Sequence, residues 1–251
     1  MRYNLLALLP FFDPPTALWR QVTIIALWLG FVVLVAEVFH RVQKADAEQS
    51  RKIVHIGVGN IIALAWWLQI PTWLGVGASV LFSGLALLSY RLPLLPSVNS
   101  VGRKSMGTFF YAVSFGVLIG AFWSQQLPHY AALGILVMTW GDGLAALIGQ
   151  RWGKHPYQLW GMKKSWEGSL TMLLVSYAVS SGVLWLVQGD RWQTWVVALG
   201  VAIAATLLEA FSKYGVDNLT VPLGSAVLAF LCNEWLFSET VALALANYLQ
   251  G

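Results

Sequence analysis

The sequence predicts an all-α, polytopic bundle of about eight membrane-crossing helices. Three observations carry this. The first is composition: 58% of the 251 residues are hydrophobic, only 10% are charged, and the mean hydropathy is +0.67. A soluble domain carries about a quarter charged residues, enough to cover its core. The second is a series of apolar runs long enough to cross a bilayer. The third is that the basic residues gather in alternate connections.

The runs fall at roughly 18–39, 53–70, 72–90, 107–123, 130–149, 168–188, 193–210 and 219–237. Gln69-Ile70-Pro71 separates the second from the third, so these two form a tight hairpin. No repeat or linker interrupts the series, and residues 1–251 read as one integral membrane domain. The opening stretch has one Arg and a short apolar run broken by Asp13-Pro14-Pro15. It has no small-residue cleavage site, so neither a signal nor a transit peptide is expected. The single cysteine, Cys232, excludes an internal disulfide and a Cys-based metal site, and reads as packing.

Orientation follows from lysine and arginine, which favour the cytoplasmic side of short loops. Alternate connections hold 12 of the 15 basic residues, and the other set holds only Arg2, Arg20 and Arg191. Both termini are therefore expected outside, with the basic loops in the cytoplasm. The polar residues share that asymmetry. Glu37 and His40 end the first run, His55 begins the second, and Glu167 begins the sixth. Glu209 ends the seventh, and Asp217-Asn218 leads into the eighth. Asp142 is seven residues before Gly149, or about 10 Å into the bilayer at ~1.5 Å per residue. Ionisable groups at such depth are costly and normally face a cavity or a partner. Clustered at one face, they point to a site open to the cytoplasm. A transporter would place polar groups nearer the midplane with access to both faces. Nothing points to nucleic acid as a partner.

Region 141–168 is the expected nucleotide- and metal-binding segment. In Gly141-Asp142-Gly143 the glycines let the backbone leave the helix and admit phosphates closely, and the carboxylate could hold Mg²⁺. The bland reading is an Asp paired with a base inside the bundle. Ala145, Gly149 and Gly153 recur every fourth residue, a spacing that equally serves close helix packing. Further on, Lys163-Lys164-Ser165-Trp166-Glu167-Gly168 precedes a span. Ser165 can cap the helix and Glu167 suits its first turn. Two ammonium groups beside a helix N-terminus also make a phosphate site. With Asp142 at the other end, the loop can enclose a nucleoside triphosphate, although no Walker A pattern is present. Lys154 adds charge in the same loop.

Arg51 and Lys52 have a topological explanation, yet His55 shares their helix face one turn on. Arg103-Lys104-Ser105 is a weaker basic candidate. Glu209, Asp217 and Asn218 could form a second oxygen-rich site, although Asp217-Asn218 could also simply cap the eighth helix. Many of the 14 tryptophans cluster at the presumed outer ends as an aromatic belt. Trp152, Trp160 and Trp166 are available for stacking on a base.

Taken together, Arg51-Lys52-x-x-His55, Gly141-Asp142-Gly143 with Ala145, Gly149 and Gly153, Lys164-Ser165-x-Glu167-Gly168, and Glu209 with Asp217-Asn218-x-x-Val221-Pro222 resemble the phytol kinase and dolichol kinase family of membrane polyprenol kinases. That family is related to the phosphatidate cytidylyltransferases. The resemblance implies CTP as phosphoryl donor, Mg²⁺, and a long isoprenoid alcohol such as phytol or geranylgeraniol as acceptor. The cytidylyltransferases share the Gly-Asp and Lys-Ser-x-Glu-Gly patterns but end in a longer Lys-Asp and glycine-rich signature. Asp217-Asn218 with Pro222 argues for the kinase branch. Carried onto this chain, Asp142, Glu167 and Asp217 would hold metal, with Glu167 also able to orient Lys164. Lys163 and Lys164 would neutralise developing charge, helped by Arg51, Lys52 or Lys154. Glu209 or Asp217 would accept the alcohol's proton, with His55 in reserve. Gly141, Gly143, Gly149, Gly153, Ser165 and Asn218 would shape the nucleotide site. The expected location is an inner or thylakoid membrane of bacterial type. A CDP-lipid synthase and a membrane transporter are the competing readings.

Overall fold

The computed structural model describes residues 17–43, 47–91 and 106–250, without the side chains of 17, 40–43, 47–50, 91 and 237–250. The N-terminal stretch, Lys44 and Arg103-Lys104-Ser105 lie outside what is described, and of His40, Arg41 and Arg91 only the backbone is described. The described elements are α1 (Ala17–Gln43), α2 (Ala47–Gly59), α3 (Ile61–Trp67), α4 (Thr72–Arg91) and α5 (Gly107–Phe122). Next comes one rod made of α6 (Pro128–Leu136), a π-helical turn (Val137–Asp142) and α7 (Gly143–Trp152). Strands β1 (Pro156–Leu159) and β2 (Met162–Ser165) follow, then α8 (Trp166–Gln188), α9 (Trp192–Ala210) and α10 (Asp217–Gln250).

The fold is an all-α membrane bundle. Among the described residues, six helices are long and apolar enough to cross: Leu18–Phe39, Thr72–Tyr90, Pro128–Trp152, Trp166–Gln188, Trp192–Ala210 and Asp217–Leu236. The two other expected spans differ in form. Helix α5 is apolar but only 16 residues long. The run 53–70 is broken at Asn60, which separates α2 from α3 and turns its amide back to the Ile56 carbonyl at 2.8 Å. Such local side-chain-to-backbone bonds compete with helix continuation.

The central rod organises the bundle. Ala131, Leu133, Ile135, Val137 and Met138 are fully buried along it. Three neighbours approach at its glycines, where the missing side chain lets backbones come close. A Cβ at Gly134 would strike the Pro222 backbone of α10. One at Gly141 would lie 2.6 Å from Met172 Sδ of α8, and one at Gly143 would lie 2.6 Å from Ile56 of α2.

The segment between Asp142 and Lys164 is not the open loop expected. Its first part continues the rod, and its second is an antiparallel hairpin pairing Tyr157 with Lys164 and Gln158 with Lys163. Two four-residue runs around Trp160-Gly161 carry a hairpin signal that an α-only reading overlooks. Both turn residues have left-handed backbones, φ 47° and 79°, as a two-residue turn between twisted strands requires.

Candidate active site

Two ion pairs, one buried and one partly buried, form the candidate site. In the first, Lys52 Nζ of α2 donates to Asp142 Oδ2 at 2.5 Å. Both residues are buried. Asp142 ends the π-helical turn, so Gly141-Asp142-Gly143 widens the helix rather than leaving it. Single π turns of this kind recur at functional sites because they re-aim side chains without ending the helix. His55 Nε2 lies 3.6 Å from the same Oδ2 and has no hydrogen-bond partner among the described residues. The imidazole stacks on Tyr111, centroids 4.3 Å apart and planes 26° apart. The Thr139 hydroxyl donates to the Ile135 carbonyl, so the Tyr111 hydroxyl is the donor in its 2.6 Å bond to Thr139 Oγ1.

In the second pair, Lys164 Nζ bonds Glu209 Oε1 at 2.6 Å and also reaches the Glu209 backbone carbonyl. Both side chains are about 15% exposed. Asp217, at the start of α10, is within electrostatic reach of Asp142, Lys52, Lys164 and Glu209. The two pairs and Asp217 therefore share one region, assembled from α2, the π turn, β2, α9 and α10. Asn218 closes the preceding turn, its amide 3.3 Å from the Gly215 carbonyl.

Lys163 and Lys164 part company. Successive strand residues point to opposite faces, so Lys164 turns inward to Glu209 while Lys163 is exposed. Lys154 is exposed as well, and Arg51 lies near Asp142. Glu167 stands apart from the two pairs. It accepts backbone N–H bonds from Lys154 and His155 at 3.1 and 3.2 Å, and its Oε1 is 2.7 Å from His155 Nδ1. It thereby fastens the entry of the hairpin to the start of α8. Ser165 caps α8 by accepting from the Gly168 N–H at 3.1 Å. Gly149 and Gly153 pack against Ser165, where a Cβ would lie 3.0 and 2.8 Å from its hydroxyl. These three residues build the α7–α8 junction beside the site.

Comparison with known proteins decides the family. The chain is 57% identical over 213 residues to the phytol kinase of Synechocystis, covering 85% of this chain and 91% of that one. The chain belongs to the phytol kinase family. Plant phytol kinases of the chloroplast are also similar: 32% identity over 204 residues to a probable phytol kinase 1 of Oryza sativa, and 27% over 208 residues to phytol kinase 1 of Arabidopsis thaliana. Each match spans 72% of this chain and about two thirds of the longer plant protein, 63% and 66%. No protein-family model matches the chain. No solved structure matches it.

Within this phytol kinase family member, sequence reasoning passes over three groups that matter to the site. Tyr111 and Thr139 lie in apolar runs that give no hint of a shared hydrogen bond. His155 carries a signal, a titratable side chain 12 residues before an acid, legible only once a hairpin folds it back. The aromatic turn residue Tyr214 is revealed by its backbone angle.

Proposed function

We propose that this chain transfers the γ-phosphoryl group of CTP to the hydroxyl of phytol or a similar long isoprenoid alcohol such as geranylgeraniol, with Mg²⁺. The observation that carries this is the convergence of Lys52–Asp142, Lys164–Glu209 and Asp217 at the hairpin-covered end of the bundle. Removing two charges from water costs several kcal/mol per ion, and an apolar pair would often serve the fold as well. Two such pairs together with a third acid argue for chemistry.

The donor set fits Mg²⁺. No cluster of three metal-ligating side chains occurs among the described residues, but Mg²⁺ typically takes one or two carboxylates plus substrate phosphates. Asp142 and Asp217 would supply those carboxylates. Lys52 and His55 both approach Asp142 through Oδ2, which leaves Oδ1 for a ligand. When bound, the metal would screen phosphate charge and align the triphosphate.

Phosphoryl transfer needs positioning and charge neutralisation above all. Lys164 and Lys52 supply cations inside the site, and Lys163, Lys154 and Arg51 supply a basic rim. The alcohol oxygen forms its bond to the γ-phosphorus as the bond to the β-phosphate oxygen breaks. CDP leaves, and the hydroxyl proton passes to a carboxylate at the α9–α10 junction, Glu209 or Asp217. The acceptor's tail stays in the bilayer with its hydroxyl at the interface, which accounts for a nucleotide site built onto membrane helices. The site then faces the cytoplasm of a bacterial-type inner or thylakoid membrane, in keeping with the basic loops.

The test uses purified protein in detergent with Mg²⁺ and CTP, given phytol or phosphatidic acid. CDP formed only with phytol supports the kinase. Pyrophosphate formed only with phosphatidic acid assigns a CDP-lipid synthase. An untouched nucleotide in both tubes, and with ATP and UTP, returns the protein to transport.

A further inference from the structure

A pocket of about 520 Å³ lies where the hairpin tip meets the α9–α10 turn. That volume is in the range of small-molecule sites. Its apolar wall comes from Trp160, Leu207, Leu208, Phe211 and Val216, with Tyr214 beside them. Leu208 and Val216 immediately precede Glu209 and Asp217 in the chain, so the pocket lies beside the site.

Two of its aromatic residues hold backbones that bulky side chains rarely adopt, Trp160 at φ 47° and Tyr214 at φ 56°. Each such residue costs on the order of 1–3 kcal/mol, and strain of this kind concentrates at ligand sites. The Trp160 ring lies 5.6 Å from that of Phe211, and the Lys213 ammonium lies 5.9 Å from the Trp160 ring centre. These contacts hold the hairpin tip over the turn.

We propose that this pocket receives the isoprenoid chain of the acceptor alcohol, with the units nearest the hydroxyl lying against the paired rings of Trp160 and Phe211. The proposal rests on the alcohol kinase reading above. A nucleobase would need free donors and acceptors along its edges, because leaving those edges unpaired is costly. The lining is chiefly hydrocarbon: beside its apolar wall it holds only the hydroxyls of Ser212, Tyr214 and Thr220 and the Lys213 ammonium, of which Thr220 already donates to the Val216 carbonyl at 3.2 Å and Lys213 lies over Trp160. Hydrocarbon suits such a wall. Leu207 and Phe211, at the end of a membrane-spanning helix, are 52% and 47% exposed, so the pocket opens toward the bilayer. An alcohol dissolved in lipid enters sideways and meets the carboxylates with its hydroxyl end first.

Trp160→Ala and Phe211→Ala test this, because both rings lie at the surface and the buried core is left intact. The KM for phytol should rise about tenfold, or ~1.4 kcal/mol, with the KM for CTP within about twofold of the parent. A raised KM for CTP with phytol unaffected assigns the pocket to the nucleotide, and no change in either overturns the proposal. A second readout needs no turnover: a diazirine-bearing geranylgeraniol, photolysed without nucleotide, should label Trp160 or the 207–216 segment and be competed by phytol. Label placed elsewhere overturns the assignment. If the parent protein fails to phosphorylate phytol but the label maps here, the kinase reading falls and the lipid pocket stands.

Discussion

Lys52 and Asp142 are 90 residues apart in the chain and 2.5 Å apart in the fold. The bond joins α2 to the π-helical turn at the centre of the bundle, and it makes the charge of each residue tolerable to the other. Removing one partner of a buried pair typically costs about 3–5 kcal/mol. Asp142→Asn should therefore lower the thermal midpoint in detergent and reduce turnover by a thousandfold or more, on the order expected when charge stabilisation in phosphoryl transfer is lost. Lys52→Met combined with Asp142→Leu should recover most of the stability and none of the activity. Recovery of activity would show that the pair serves the fold alone.

The two adjacent lysines of β2 should behave differently. Lys164→Ala removes a cation from the site and leaves Glu209 without its ammonium partner, so kcat should fall by at least about a hundredfold. Lys163→Ala changes an exposed side chain on the other face, and kcat/KM should stay within about threefold. Initial rates at saturating and limiting CTP decide the matter, and equal losses would mean that both lysines reach the phosphates.

Glu167 and His155 form a fastening between hairpin and helix, so Glu167→Gln and His155→Ala should resemble each other. Both should speed proteolytic cleavage within residues 153–161 and lower kcat modestly, with the Mg²⁺ concentration for half-maximal rate unchanged. A selective shift of that Mg²⁺ midpoint in Glu167→Gln would instead make Glu167 a metal ligand.

Close helix packing predicts a contrast between glycines. Gly134→Ala pushes a methyl against the Pro222 backbone and to within 3.0 Å of Ala226 Cβ. Overpacking of that kind costs about 1–3 kcal/mol, and the thermal midpoint should fall by several degrees. A methyl added at Gly182 of α8 would meet nothing within 4 Å, so Gly182→Ala should be neutral or stabilising by up to ~1 kcal/mol. Paired melting curves in the same detergent test the contrast.

Much of this protein is legible along one dimension. Apolar run length places the membrane helices, because burying backbone polar groups in lipid requires about twenty helical residues per crossing. The grouping of acids and bases near the ends of those runs is legible in the same way, because charge is too costly elsewhere in the bilayer. The Ser165 cap of α8 follows from local chemistry in the same way.

Partnership is another matter. Asp142 with Lys52, and Lys164 with Glu209 at a separation of 45 residues, depend on how each helix is rotated and how closely its neighbours approach. Glycine contacts around the central rod set both quantities, and no local pattern encodes them. The opposite fates of Lys163 and Lys164 follow from the pleat of a hairpin that apolar periodicity alone presents as open loop. Glu167, adjacent in sequence to the site lysines, is claimed by His155 because the hairpin turns the chain back on itself. Hydrophobic periodicity is a property of neighbouring residues, whereas a binding site is made by residues that packing brings together. That is why the chain announces its membrane architecture directly, and its chemistry only once folded.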